Sequence, residues 1–554
     1  MVSMEEQLQP EQVNTDASVS PTPPQPAALN RRSLLQIAAT SVLGVGLARP
    51  ALAAETTPTL PPQGVALEPG YSPNQPIHRK VSNIDDYLFR LPNGDVIGDY
   101  ILLCPQKMGG GTHALDLKTG TVMASIWYWN YGDYCPISHH IQAFPSSNPY
   151  EGFEFINSCQ GGKDALIFGI PTPMSEPAEG FNMYKVKYDG NMMVLEDNVA
   201  ASTGLGLGVH TTIKPDDAQS YWITDGQKDI AAWFDRGSSQ VKVALKYDWV
   251  PNVPELDQAW RQGGTLKVRR IYPDATTGLF DYQGTKGLKI DWEMVPSGEL
   301  LVEEGQIPGQ DVLGLCGADG TIWHPSGRWA ATLIRLCGGL VVLDAQKNME
   351  PVTFCSFNSQ TPDHYPVTKT DKDTWEIKLD QVGSPGHESG FSPDGKYFCF
   401  MNNGRENALG VFDSSDPDPK KWKKFAEIRD PLWYGRYPEP FHMVFTPDAK
   451  KLYLVILYPA PAKSGVMVID TETWKIRKEI QNIAPDVESI TITPDGRYVV
   501  GITGGFQRYR SMVYFIDTRT DELVGFMPSP GGHHDLSLVP RSVDELRWSR
   551  SCML

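Results

Sequence analysis

Two short motifs alternate along the chain, and their alternation limits the possible folds more than any other feature. The first is an apolar strand that ends in aspartate and passes through a polar turn into another strand. It occurs as HALDLKTGTV at Asp116, YKVKYDGNMM at Asp189, AAWFDRGSS at Asp235, LVVLDAQKN at Asp344, LGVFDSSDP at Asp413, VMVIDTETW at Asp470 and VYFIDTRTD at Asp517. The second is an apolar strand, a Pro-Asp-Gly-like turn and a β-branched or aromatic strand. Its clearest copies are GFSPDGKYFCF, VFTPDAKKLYLV, TITPDGRYVVGI and IWHPSGRWAATL. Each copy reads as a hairpin, with apolar runs on either side of Pro and Gly punctuation.

A repeat of ~40–50 residues made of four short strands is the sequence signature of a propeller blade. Seven Asp turns therefore predict an all-β, seven-bladed β-propeller over 86–545. An eight-bladed ring, using VPSGELLVEE at Pro296, is the alternative. The Asp116 turn has no Pro-Asp-Gly partner before it, and GGHHDLSLVP near the C-terminus has no Asp turn after it. N- and C-terminal strands are thus expected to share one blade and close the ring, which removes free sheet edges. Two stretches, 146–182 and 236–318, exceed the blade length and are expected to be loops or added strands over one face. They leave open a channel gate or a subunit interface, with a homodimer among the expected partners.

Residues 1–29 are polar and rich in Pro, Gln and Ser, followed by Arg31-Arg32, an apolar run to Leu47 and Ala51-Leu52-Ala53. That order reads as an export leader of the twin-arginine type over 1–53 and places the mature protein in the periplasm. An N-terminal arm at 54–85 and a C-terminal tail at 546–554 complete the expected organisation. No other apolar stretch approaches the ~18 residues of a membrane span, so no membrane insertion is expected. With 66 acidic against 49 basic side chains and no basic cluster, the chain lacks what nucleic-acid binding requires. Its eight cysteines include no C-x-x-C pair, which excludes a zinc ribbon, a c-type haem site and a thioredoxin motif.

The eleven histidines are not scattered. Five to seven residues before each Pro of the second motif stands a ligand-type residue: His139 and His140 before Pro145, His210 before Pro215, Asp319 before Pro325, His387 before Pro393, His442 before Pro447, and His533 and His534 before Pro540. This position is the start of an inner strand, and in a propeller those starts converge around the central channel. The ligand set is nearly all imidazole, with one carboxylate and no sulfur, which suits copper, zinc, iron or nickel. It is too large for one tetrahedral zinc with an open position, so a cluster of metals led by copper is expected. Because adjacent strand residues face opposite sides, only one of each histidine pair is expected to bind. His78, His113, His324 and His364 lie in turns or outside the position and are left out of the set. Glu488, six before Pro494, stands where the register calls for a ligand. It reads equally as a ligand or base and as a hydrogen-bonded strand end.

The motifs SHHIQAFPSSNPYEGFEFIN, GLGVHTTIKPDD, LCGADGTIWHP, SPGHESGFSPDGKYF, EPFHMVFTPD and GGHHDLSL resemble copper-dependent thiocyanate dehydrogenase over essentially the whole mature chain. A more distant resemblance is to the propeller of nitrous oxide reductase, whose second domain and C-x-x-x-C copper motif are absent here. The resemblance implies three copper ions in the channel. It implies oxidation of thiocyanate with water to cyanate and elemental sulfur, with two electrons passing to a cytochrome c. Carried over position by position, it implies copper ligands at His139, His210, Asp319, His387, His442 and His534. It also implies that Lys107, His140 and Glu293 act on substrate, Lys107 by holding the anion and His140 or Glu293 by taking a proton. Glu488 departs from the family pattern, which has histidine there. A related copper propeller acting on another small inorganic molecule, and a propeller that holds copper without turnover, are the competing functions. A calcium lactonase on the same fold would need oxygen ligands and fits the histidines poorly.

Overall fold

The computed structural model describes residues 88–549, apart from 107–110, 129–136, 161–181, 204, 206–209, 226–228, 253–262, 281–317, 335–336, 358–360, 382–385, 403–407, 430–438, 458–464, 485–486, 504–510 and 530–534. The segments expected as leader and arm, with the rest of 1–87, and the end of the expected tail at 550–554 therefore lie outside the described residues.

Short antiparallel strands follow one another in chain order. They are β1 (Ile101–Gln106), β2 (Gly111–Asp116) and β3 (Thr121–Trp127); β4 (Ile137–Ala143), β5 (Phe153–Gln160), β6 (Asn182–Tyr188) and β7 (Met193–Asn198); then β8 (His210–Ile213), β9 (Ser220–Asp225), β10 (Ile230–Asp235) and β11 (Val241–Pro251). After β12 (Gly264–Ile271) come β13 (Ala318–Trp323), β14 (Trp329–Ile334), β15 (Gly339–Asp344) and β16 (Glu350–Ser356), then the pair β17 (His364–Asp371) and β18 (Thr374–Leu379). The remainder are β19 (Gly386–Phe391), β20 (Tyr397–Asn402), β21 (Ala408–Asp413) and β22 (Lys423–Ile428); β23 (Glu439–Phe445), β24 (Lys451–Leu457), β25 (Gly465–Asp470) and β26 (Lys475–Gln481); β27 (Val487–Ile492), β28 (Tyr498–Thr503), β29 (Met512–Asp517) and β30 (Glu522–Pro528); and last β31 (Ser537–Leu538).

These strands form seven four-strand meanders among the described residues, one of them in the order β31-β1-β2-β3. The last strand thus joins the first three, with Leu538 opposite Leu102 and Ser537 opposite Leu103. Seven apolar clusters hold successive meanders together. Ile101 shares a cluster with Phe155, Ile156 with Tyr221, Leu245 with Ala330, and Leu333 with Phe398. Leu409 shares the next with Leu452, and Tyr453 another with Val499. The seventh cluster returns from Val500 and Phe515 to Leu102 and Leu538, so the succession closes on itself as a β-propeller. This arrangement explains the hydropathy pattern. Middle strands such as β1, β14, β15 and β28 are buried along their whole length because a neighbouring sheet covers each face. Outer strands such as β22 and β26 alternate between exposed and partly buried positions because one face meets water.

Both motifs have a local cause. Every Asp of the first motif stands at the end of a meander's third strand, where its carboxylate accepts backbone N–H groups of the following turn. Examples are Lys118 N to Asp116 at 3.0 Å, Gln346 N to Asp344 at 3.0 Å and Thr473 N to Asp470 at 2.8 Å. These donors hold the carboxyls of Asp189, Asp235 and Asp470 below the usual carboxylate range. The second motif needs a left-handed residue at its third turn position: Gly395 has φ 72°, Gly496 φ 70° and Gly327 φ 68°.

One sequence expectation is corrected. The described residues of 236–318 do not lie over a face: β11 is the fourth strand of the third meander and β12 extends it at its outer edge, in the plane of the sheet, while 253–262 and 281–317 lie outside the described residues. There β12 pairs with β18, β18 with β17 and β17 with β16, fusing the third and fourth meanders into one eleven-stranded sheet. The free edge of an outer strand is satisfied by pairing, which a loop laid over a face would not achieve. Near the C-terminus, helix α2 (Val543–Ser549), after the single-turn α1 (Val199–Thr203), spans the boundary expected at 545/546. It buries Leu546 against Phe144 and Ile213.

In VFTPDAKKLYLV the left-handed position is filled by Ala449, at φ 56°. An L-residue there costs ~1–2 kcal/mol, and glycine's greater freedom in the unfolded chain returns part of that. Ala449→Gly is expected to stabilise the protein by about 0.5–1 kcal/mol. This would be read as a higher urea midpoint at unchanged slope, and a lower midpoint would contradict the account of the turn.

Candidate metal centre

The innermost strands share a feature that no hydropathy pattern displays. In β4, Ser138 pairs with Cys159 and Ile141 with Asn157, so His139 and His140 together stand opposite one residue, Ser158. The same two-against-one irregularity places Asp319 and Gly320 opposite Leu333, and His387 and Glu388 opposite Met401. It also places Phe441 and His442 opposite Val455, and Glu488 and Ser489 opposite Ile502. Five innermost strands thus carry a β-bulge at the predicted ligand position. A bulge bends the strand and re-aims its side chains. The variable spacing follows from it: residues six before the turn proline occupy the first bulge position, and residues five before occupy the second. His210, five before Pro215, opens β8 opposite Thr224.

The bulge overturns the expected alternation of adjacent histidines. His139, His140 and His210 each bring one ring nitrogen to within 4.8 Å of the others. The His140 ring centroid lies 4.2 Å from those of both His139 and His210, and 6.3 Å from that of His442. His139 and His210 are 5.8 Å apart by the same measure. All four rings are buried, with exposures of 2–5 %. The structure therefore brings together three of the six predicted ligands and one predicted substrate-acting residue, from three different meanders. Asp319 and His387 occupy the same bulge position on β13 and β19, but their side chains lie outside the description. Lys107, Glu293 and His534 lie outside the described residues altogether. Glu488 sits fully buried in the bulge of β27.

Polar side chains fix the backbone beneath the histidines. The His140 N–H donates to Ser158 Oγ at 2.9 Å, and its carbonyl accepts from Asn157 Nδ2 at 2.8 Å. Asn157 Oδ1 in turn accepts from Ser138 Oγ and Thr112 Oγ1, both at 2.7 Å. Asp535 was missed by sequence reasoning. It is 5 % exposed, and its Oδ2 lies 3.3 Å from His140 Nδ1 while accepting the Ile141 N–H at 2.9 Å. The signal was present, because Asp535 stands five before Pro540 and so shares the register of His140, His210 and His442.

The histidines left out of the set have other partners. His113 on β2 bonds Ser125 Oγ at 2.6 Å and packs edge-on against Trp127. His324 holds the turn after β13, bonding Ser326 Oγ at 2.8 Å and reaching the Gly395 carbonyl at 3.2 Å. His364 on β17 bonds the carbonyl of Trp422. Burial lowers the pKa of all three, that of His113 to about 4. His78 lies outside the described residues.

No protein-family model matches the sequence, and no curated protein is significantly similar to it. Among solved structures, hydrazine synthase of Kuenenia stuttgartiensis matches at 14% identity and a TM-score of 0.33, covering 57% of this chain and 64% of that one. The chain thus spans less than two thirds of that protein's length. The periplasmic gluconolactonase PpgL of Pseudomonas aeruginosa matches at 11% identity and a TM-score of 0.43, covering 80% of this chain and 99% of that one. Apo AztD of Citrobacter koseri matches at 13% identity and a TM-score of 0.41, covering 79% and 98%. Among the described residues, no helix is long and apolar enough to cross a membrane.

The His113 environment has a consequence for acid stability. Between its unfolded pKa near 6.5 and its folded value of about 4, the unfolded chain binds the extra proton. Stability is therefore full above pH 6.5 and falls as the pH drops toward 4. The contribution is on the order of 3 kcal/mol, at 1.36 kcal/mol per pKa unit. Urea unfolding of the metal-free protein from pH 7 to 4.5 should show this slope, and His113→Gln should reduce it. An unchanged slope in the variant would assign the acid sensitivity elsewhere.

Proposed function

We propose that the protein is a periplasmic, seven-bladed copper propeller that oxidises thiocyanate with water to cyanate and elemental sulfur, releasing two protons and passing two electrons to a cytochrome c. The observation that carries this reading is the convergence of His139, His140 and His210 within 4.8 Å of one another, with the His442 ring beside them. The donor set fits copper. Its described rings, His139, His140, His210 and His442, are buried and all imidazole, and with the three further ligands that the resemblance implies the set would exceed the needs of one tetrahedral ion. His139, His210 and His442, with Asp319, His387 and His534, would hold up to three ions. Copper, when bound, supplies the electron acceptor and the Lewis acidity of the reaction.

The remaining roles belong to side chains. Thiocyanate is a small linear anion, and the Lys107 ammonium would hold one end of it by charge. His140, buried beside the ligand rings, would take a proton from water in the reaction, with Glu293 as the second candidate for that role. Burial of the cluster keeps bulk water from competing for these contacts. Glu488 favours a second reading. A buried carboxylate at a bulge position where the family pattern has histidine is what a related copper propeller with another small inorganic substrate would carry.

The test combines metal analysis of the copper-loaded full chain with thiocyanate-dependent reduction of cytochrome c. Two to three coppers per chain with turnover, abolished in His387→Ala, is the expected result. Copper without turnover would leave a metal-holding propeller or another substrate, and a chain that takes up no copper would overturn the site.

A further inference from the structure

We propose that Asp535 is the positioning residue of His140, fixing its imidazole as the Nδ1–H tautomer so that Nε2 is the nitrogen offered to the histidine cluster. The carboxylate is itself immobilised. Its Oδ2 accepts the Ile141 N–H at 2.9 Å, its Oδ1 accepts the Ser489 hydroxyl at 3.1 Å, and only 5 % of the residue is exposed. These donors come from β4 and from the bulge of β27, while Asp535 belongs to the segment that leads into β31. The same Oδ2 lies 3.3 Å from His140 Nδ1.

An ionised carboxylate only accepts hydrogen bonds, so the ring nitrogen facing it carries the hydrogen. The His140 backbone is fixed on both sides, by Ser158 Oγ at the N–H and Asn157 Nδ2 at the carbonyl, which limits the ring to rotation about its side-chain bonds. Asp535 removes that freedom. Carboxylates behind histidines serve this purpose at metal and catalytic sites in general, setting the tautomer and raising the basicity of the opposite nitrogen.

The variant logic follows from the Ile141 N–H, a donor that cannot reverse. In Asp535→Asn it selects the amide oxygen for the Oδ2 position, so an acceptor still faces His140 Nδ1. In Asp535→Ala no acceptor remains. Long-range proton–nitrogen spectra of the metal-free full chain, labelled with 15N-histidine at pH 8 and assigned through His140→Gln, distinguish the two tautomers. The Nδ1–H form is expected in the wild type and in Asp535→Asn, and the Nε2–H form in Asp535→Ala. An Nε2–H ring in the wild type overturns the proposal whether or not the variants fold, and an unchanged tautomer in Asp535→Ala overturns it as well.

A second measurement rests on the copper reading proposed above. In the thiocyanate-dependent cytochrome c assay of the copper-loaded chain, Asp535→Ala is expected to lower turnover about 10–100-fold, and to add nothing when combined with His140→Ala. A further loss in the double variant would show Asp535 acting otherwise than through His140, which overturns the positioning role. A wild-type chain with the Nδ1–H tautomer but no copper binding would refute the metal reading and uphold this one.

Discussion

A ring of sheets has no free edge only if its last strand finds its first, and here that meeting is a two-residue ladder. Leu538 and Ser537 of β31 pair with Leu102 and Leu103 of β1 across more than four hundred residues of chain. Bringing such distant segments together costs roughly 5 kcal/mol of loop entropy beyond a constant, because the cost grows only with the logarithm of length. The ladder's own hydrogen bonds, at ~1 kcal/mol each, do not offset that. Burial does: Leu102, Leu538, Val500 and Phe515 share one cluster, each with exposure of 2 % or less. At ~1.5–3 kcal/mol per fully buried side chain, the cluster exceeds the closure cost. Each meander contributes to two clusters, so the loss of one contact surface weakens its neighbours in turn.

Closure also explains where chemistry can be placed. Middle strands such as β1, β14, β15 and β28 are buried along their whole length and carry mostly apolar side chains. At the innermost strands, β4, β8 and β23 bring His139, His140, His210 and His442 together. A regular strand would send alternate residues up and down, and half of any polar pair would fall into an apolar cluster. The bulges at His139–His140, Asp319–Gly320, His387–Glu388, Phe441–His442 and Glu488–Ser489 break the ladder at that point. His139 and His140 thereby both approach His210, and neither ring is forced between sheets.

Much of this was legible in the residues because its causes are local. The Asp turns record a carboxylate capping backbone N–H groups, and the Pro-Asp-Gly turns record a left-handed residue that glycine tolerates. Both are one-turn problems with few side-chain solutions. The histidine register was legible for the same reason, since it is counted from those turns. The bulge was not, because a local change of ladder pairing leaves no mark in composition. Its only trace is that His442 stands five residues before proline while His139 and His387 stand six before. The fusion of the third and fourth meanders was hidden too. Excess length marked 236–318, but the β17–β18 hairpin that completes the junction carried no such mark, and edge pairing is decided between segments distant in sequence.

Asp535 ties these two levels together. The segment that closes the ring also supplies the carboxylate behind His140, and it is anchored there by donors from β4 and β27. His140 and His210 come from adjacent meanders, whereas His442 and Ser489 come from later ones and Asp535 from the last segment of the ring. Before closure, the chain can bring His139, His140 and His210 close through contacts between neighbouring sheets alone. It cannot add His442 or fix the His140 ring. The complete constellation therefore exists only in the closed ring. Binding at that constellation stabilises the closed form over every open one, by linkage, so the strand pairing that costs the most entropy gains the most from an occupied site.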